Sequence, residues 1–540
     1  MVVIRAGLDQ IKDLFDKDFT EKVSKFSEII GYTIERDGND LKIEFNPDRP
    51  DLFSFTTLNA AVLTFFNGAE NPRLKSGTGD IKFIVTEDGI KLRPYVTSFV
   101  CRGNQIGKRL RDMIDFQERI HQTIGKDRSK VSIGIHDLEG LQPPFTYISR
   151  QKNAVRFVPY DGDKEMTAEE ILKHHEKGKQ YSHLLTNESV PIIVDSRGQV
   201  LSMPPIVNGI ASLVKESTIN FFIDITGTDL RSVVGASLLL RYFFASAGFR
   251  IEETSQIGGI PSREILVKDG RIIKVRNSEI RKILGANEIG MTDVHDSLRK
   301  MGYSVKSGDA NEKSEFQVEV LGSRLDVMGE VDIIEDIGKA VGYDSIPVAR
   351  PNLDLVGSLR SDTHLKERIR EVSVGLGFQE VMTFVVTASK FSGGIQGEVG
   401  ATIMNPKSQD FNVIRDRLRL NLLDLLRINK RRNLPQRIFE VGEVVVDLDQ
   451  RTNLCYAISD SRVGFSNIKQ YLQALLQRFG KSEPVFVPYT GPEFIPGRAG
   501  RILINGTDYG VIGEVHPEIL VKFDLANPVA LFEIGITALL

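Results

Sequence analysis

The chain has 540 residues, 41% hydrophobic and 26% charged, which is far from the composition of disordered chains, and its length implies roughly three to five domains. A net charge of −3 argues against a surface dominated by nonspecific phosphate attraction. Cys101 and Cys455 match no metal-ligand spacing or disulfide framework, the leading apolar run stops at Ile4, and Arg241 interrupts the apolar stretch 236–249. A soluble protein of the reducing cytoplasm is expected.

Residues 1–80 read as a small mixed α/β domain. A strand-like VVIRAG opens it, a helical pattern covers 9–31, and Leu41, Ile43 and Phe45 alternate into the proline-bounded NPDRPD at 46–51. A helix over 54–67 closes the unit at Gly68. From 84 to 260, the largest α/β domain, short β-rich runs at 83–86, 131–136, 192–195 and 221–225 alternate with helices such as 167–177, which begins with the capping-box pair Thr167 and Glu170. Residues 271–346 hold two short helices, capped by Ser278 and Thr292 and ended by Gly285 and Gly302, and a hairpin-like alternation around Val318 and Val320. This pattern suggests a winged-helix-like module, and its eight Lys/Arg against five Asp/Glu over 271–310 make it only mildly basic. Pro347 and Pro351 mark a linker. A final domain at 355–540 interleaves helical patterns at 416–431 and 467–479 with strand-like stretches at 437–446, 453–458, 501–505 and 529–534.

Four groups of residues could carry chemistry. Asp326, Asp332, Glu335 and Asp336 form a dense carboxylate cluster, the last three at i, i+3 and i+4 on one helix face. Such density suits a hard cation such as Mg2+, while acidic residues solvated at a helix start explain the same spacing more simply. The run SMPPIVNG at 202–209, with Thr218, Asn220 and DITGTD at 224–229, sets polar side chains among rigid prolines and glycines, either as a pocket wall or as turn and cap residues. His121 to Arg128 and IGIHD at 133–137 offer a proton carrier, but no nucleophile motif accompanies them and a satisfied histidine at a strand end is the simpler account. The basic run of Arg415, Arg417, Arg419, Arg427, Lys430, Arg431 and Arg432 suits a phosphate, an acidic partner or a solvated helix face. No P-loop, dinucleotide fingerprint or paired-cysteine zinc site occurs, so nucleotide chemistry comes from elsewhere or from a fold without those loops.

Seven ordered motifs resemble the phenylalanyl-tRNA synthetase beta-subunit family in its archaeal and eukaryotic form: NPDRPDLFS at 46–54, GKDRSKVSIGIHD at 125–137, SMPPIVN at 202–208, DITGTD at 224–229, EVDIIED at 330–336, FEVG at 439–442 and GEVHP at 513–517. The resemblance runs nearly end to end. It implies an α+β multidomain fold with an editing-type α/β domain, a winged-helix-like module and a degenerate class II synthetase-like antiparallel-sheet domain. It also implies a heterotetramer of two alpha and two beta chains that attaches phenylalanine to tRNA, with ATP and phenylalanine bound by alpha. RIFE at 437–440 only loosely resembles the second class II motif and FEIGITALL at 532–540 lacks the arginine of the third, so 355–540 is expected to be a dimerisation scaffold without catalytic residues for charging.

The family assigns magnesium shared with alpha to four carboxylates, which Asp326, Asp332, Glu335 and Asp336 match position by position. The chain resembles the short form of the family, which lacks the extra RNA-binding domains of bacterial beta chains, so anticodon contacts are not expected of it. The 84–260 domain resembles the family's editing module, which hydrolyses mischarged tyrosyl-tRNA. Met203, Pro205, Asn208, Thr218, Asn220 and Thr226 are expected near its pocket, with Asn208 as the polar contact. Two other readings remain: a noncatalytic nucleic-acid-binding or assembly protein, and a free-standing editing hydrolase.

Overall fold

The computed structural model describes residues 2–72, 74, 76–259, 270–285, 290–307, 315–348, 356–389 and 401–540. The chain divides into two compact units, Met1–Pro351 and Asn352–Leu540. Three of the expected domains fall in the first unit and the fourth in the second, while residues 260, 351 and 355, where boundaries or the linker were expected, lie outside the described residues.

In the first unit, Leu41, Ile43 and Phe45 point inward from the central strand, Asp40–Phe45, of a three-stranded sheet completed by Val2–Gly7 and Thr33–Asp37. The helical pattern at 9–31 forms two helices, Leu8–Leu14 and Phe19–Ile30. Phe15 turns to an extended conformation and stacks on Phe19 at 4.5 Å, and the aspartates at 16 and 18 are poor helix-interior residues, so the pattern breaks between the two. Ser54 accepts hydrogen bonds from Thr56 and Thr57 to start the helix Phe55–Asn67, and Gly68, at φ +66°, ends it.

A nine-stranded mixed sheet follows. Its spatial order is Val207–Asn208, Val200–Met203, Ser189–Val194, Phe145–Gln151, Ser76–Val85, Arg250–Ile257, Tyr95–Arg102, Asn220–Gly227 and, at the edge, Val131–Asp137. Ser76–Val85 runs parallel to both its neighbours. Along Asn220–Gly227 the two-residue repeat sends Phe221, Ile223 and Ile225 into the same core as Phe116 and Phe243 of the helices Leu110–Gln122 and Leu230–Ser246, and turns Phe222 and Asp224 to the other face. Arg241, which broke the apolar stretch 236–249, is buried in the second of these helices and pairs with Glu253.

The module at 270–348 has a three-stranded antiparallel sheet, Gly270–Arg276, Glu315–Leu321 and Ser304–Ser307 in spatial order, with helices Asn277–Leu284, Met291–Lys300 and Glu330–Val341. Val275, Val318, Ile333 and Ile337 belong to the same buried cluster as Ile4 and Phe116, so one continuous core serves all three segments.

The second unit is built on a seven-stranded sheet ordered Gln379–Glu380, Gln436–Val446, Asp449–Ser459, Val529–Gly535, Thr507–Val515, Phe494–Ile504 and Val485–Pro488. Its pairings are antiparallel except the first. Leu454, Tyr456 and Ile458 face the helices Ser361–Gly375 and Phe465–Arg478, and Cys455 and Ala457 face the helix Arg419–Ile428, so alternation along a single strand builds two cores. Among the described residues no helix is long and apolar enough to cross a membrane.

Candidate functional site

At the edge strand Val131–Asp137 the first unit holds a cavity of about 320 Å³, bounded by the helix Leu110–Gln122 and the segment 202–214. Met203 and Pro205 form buried parts of its wall and Asn208 a half-buried part. The other three expected pocket residues lie elsewhere. Thr218 closes a turn, donating to Asp137 at 2.6 Å and accepting from the Lys215 amide. Asn220 starts its strand at the far end, opposite Arg102. Thr226 sits one pleat beyond Asp224, where its hydroxyl accepts from Nε of Arg93 at 3.2 Å. Thr218 precedes the strand, and Asn220 and Thr226 share a face with Asp224 but are displaced along the strand from it.

Three polar groups of the cavity lining have an unpartnered side-chain atom, Nε of Arg128 being one of them. Asp224 is 1% exposed and Ser202 2%, both line the cavity, and neither Oδ1 of Asp224 nor Oγ of Ser202 has a hydrogen-bond partner among the described residues. Buried polar atoms are normally satisfied, so unpaired ones gathered in one wall mark a place made for a ligand. Asp224 could have been singled out in the sequence as the lone charged residue of a mostly apolar strand, NFFIDITG.

Glu118, His121 and Arg128, which also line the cavity, hold its wall together. Lys126, Asp127 and Arg128 occupy the left-handed region in succession, at φ 46°, 50° and 63°, a conformation costing about 1–2 kcal/mol per residue. Arg128 donates to the carbonyls of Pro205 and Ile206 at 3.3 and 2.9 Å and to Oε2 of Glu118 at 2.9 Å, and it lies over the Tyr181 ring. The same Glu118 oxygen accepts from Nδ1 of His121, because Nε2 of that ring already accepts the Ile133 amide hydrogen. Burial depresses His121 to about 4, against the pull of Glu118. Burial alone would raise Glu118, but the His121 hydrogen bond and the Arg128 charge hold it down at about 2.

The four carboxylates proposed as magnesium ligands do not converge. Arg324 donates to Asp326 at 2.7 Å and to Asp336 at 2.6 Å, and Tyr303 donates to the same Asp336 oxygen at 2.6 Å. Asp332 accepts the Met328 and Gly329 amides at the start of its helix, and Glu335 points outward to Lys339 at 2.9 Å. Among the described residues no three acidic, histidine or cysteine side chains are grouped to hold a metal ion. The donors present do not fit one ion held by this chain, because an arginine already lies between the half-buried Asp326 and the buried Asp336.

The basic run of the second unit divides: Arg415 and Arg419 turn inward, while Lys430, Arg431 and Arg432 are exposed. Arg415 bonds Glu440 at 2.7 Å, Arg419 bonds Glu493 and Glu533 at 2.8 and 3.1 Å, and Arg427 pairs with Asp424.

A family model described as the phenylalanyl tRNA synthetase beta chain CLM domain matches residues 346–536, and one described as the tRNA synthetase B5 domain matches 273–343. The chain is 44% identical over 543 residues to a phenylalanine-tRNA ligase beta subunit of Thermoplasma volcanium, covering 100% of this chain and 99% of that one. It is 34% identical over 550 residues to the corresponding subunit of Archaeoglobus fulgidus, covering 100% and 98%. Among solved structures, an N-terminal fragment of the phenylalanyl-tRNA synthetase beta subunit from Pyrococcus horikoshii is similar with a TM-score of 0.55 at 26% identity, over 63% of this chain and 100% of the fragment.

Proposed function

The chain belongs to the family of phenylalanine-tRNA ligase beta subunits, and on that premise we propose that it serves an alpha partner in ATP-dependent charging while its own cavity hydrolyses tyrosyl-tRNA. Membership makes it a component of a ligase complex with an alpha subunit. In the reading adopted here, two alpha and two beta chains assemble, alpha binds ATP and phenylalanine, and both chains contact tRNA.

The observation that carries the hydrolytic reading is the unpaired couple of Asp224 and Ser202 in one cavity wall. A phenolic hydroxyl both donates and accepts: it would give its hydrogen to Oδ1 of Asp224 and take one from Oγ of Ser202. A phenylalanine ring in the same place would leave both groups unsatisfied, at about 1–3 kcal/mol each. A charging pocket shaped for phenylalanine rejects an added hydroxyl by only about 10²-fold, whereas a site built to bond that hydroxyl rejects a ligand lacking it by about 10⁴–10⁵. Met203 and Pro205 supply apolar wall for the ring, and Asn208 offers its amide to the aminoacyl ester.

The second unit is read as the degenerate class II domain. Its buried arginines are held by Glu440, Glu493 and Glu533 and so are not free to meet nucleotide phosphates, which suits a supporting role. Magnesium has no place in the part of the mechanism assigned to this chain's own residues. The test is charging and tyrosyl-tRNA clearance by the purified chain with and without the alpha subunit. Charging is expected in the mixture alone, and Asp224→Ala or Ser202→Ala in the assembled enzyme should slow clearance. Clearance at the wild-type rate in both variants would refute the cavity assignment.

A further inference from the structure

His136 stands behind the cavity wall, fully buried, with the Phe222 ring stacked on it at 6.0 Å. Its Nε2 lies 2.7 Å from Oδ2 of Asp224 and its Nδ1 2.8 Å from Oγ of Ser212, which is itself 3.3 Å from the carbonyl oxygens of Leu201 and Gly209. Among the described residues His136 is the one hydrogen-bond partner of the Asp224 carboxylate. The contact depends on Gly134, which pairs with Asp224 across the strands. A Cβ there would lie 2.1 Å from Oδ2 of Asp224 and 2.6 Å from Nε2 of His136.

We propose that His136, backed by Ser212, is the positioning residue that makes Asp224 a reader of the substrate hydroxyl, an inference that rests on the hydrolytic reading of the cavity. An ionised carboxylate accepts hydrogen bonds and donates none, so Nε2 carries the hydrogen and fixes Oδ2, which leaves Oδ1 to whatever enters the cavity. Without that donor, neither carboxylate oxygen is held in place, and Oδ2 competes with Oδ1 for the substrate hydroxyl. Ser212 engages the other ring nitrogen and is itself held by the Leu201 and Gly209 carbonyls, which fixes the plane of the ring and keeps Nε2 aimed at Asp224.

The experiment compares kcat/KM for tyrosyl-tRNA and phenylalanyl-tRNA hydrolysis by the assembled enzyme carrying His136→Gln, His136→Asn or Asp224→Ala. Glutamine places an amide N–H at the reach of Nε2 and asparagine at the reach of Nδ1, so both variants keep a polar side chain at 136 and only glutamine can serve Asp224. His136→Gln should keep the tyrosyl preference within about threefold, and His136→Asn should reduce it by about 10²-fold, as Asp224→Ala does. A merely structural role would lower both substrates together and leave the ratio in place. Equal ratios in the glutamine and asparagine variants, alongside a collapsed ratio in Asp224→Ala, overturn the role of His136. An Asp224→Ala enzyme that hydrolyses tyrosyl-tRNA as the wild type does overturns the reading of the cavity instead.

Discussion

The guanidinium of Arg324 lies between Asp326 and Asp336 with the arginine itself 5% exposed, so this chain carries its own cation where four nearby carboxylates suggest an external one. Arg324→Met would leave the buried Asp336 without its charge partner and should destabilise the chain by about 3–5 kcal/mol in urea titrations. Burial works against ionisation of both aspartates, but Arg324 more than offsets it and holds both carboxyls below their ordinary range. Their contribution is therefore full above the unfolded value of about 4 and is lost as pH falls through the lower folded values. The Arg324→Met variant should show a shallower acid loss than the wild type. Chelation by EDTA should leave the thermal midpoint of the isolated chain unmoved, and a fall would restore a divalent ion to the site. Sequence spacing made the carboxylate cluster visible, but not its partner: residues 335 and 336 are adjacent, yet one points to solvent and the other into the core, and Arg324, two residues before Asp326, reaches across to Asp336 as well. Asp224 was visible as a charge in an apolar strand. That it borders a cavity depends on Gly134, ninety residues earlier, which only the strand pairing brings opposite.

The left-handed turn at 126–128 and the helix Leu110–Gln122 act together, because Glu118 on the helix is the point where Arg128 and His121 meet. Arg128→Met would release the carbonyls of Pro205 and Ile206 and leave Glu118 with one partner, a loss of about 1.5–3 kcal/mol for a bond to a charged group. A raised KM for tyrosyl-tRNA hydrolysis is the expected readout. His121 should stay neutral down to about pH 4. Its folded value lies below the unfolded one of about 6.5, so the stability it contributes is complete above that pH and is withdrawn as pH falls from there towards the folded value. His121→Gln should flatten this slope in urea midpoints recorded across the window, and an unchanged slope would place the proton uptake elsewhere. At this scale the sequence was informative for the Thr167 and Glu170 capping box, which forms as its spacing predicts, but not for Ser278 and Thr292, which lie one residue inside helices that Arg276 and Gly290 precede. It was misleading at 9–31, where apolar spacing alone continued a helix that Phe15 interrupts.

Across the first unit a single buried cluster takes Ile4 and Phe19 from the N-terminal segment, Phe116, Ile223 and Phe243 from the nine-stranded sheet and its helices, and Val275 and Ile333 from the module. A fragment of 84–259 would expose the aromatic back of its helices and should aggregate or show a molten near-UV spectrum, whereas 1–348 should fold with a cooperative transition. Composition and periodicity suggested separate segments, but shared burial between distant segments leaves no mark on local periodicity, so their dependence on one another could not be read there. That dependence bears on descent. A recombination event that exchanged the cavity-bearing stretch alone would tear a core in half and leave both offspring unfolded. Lineages can therefore retune the cavity by point substitution but inherit its surroundings as one cassette, from the first strand to the last helix of the module.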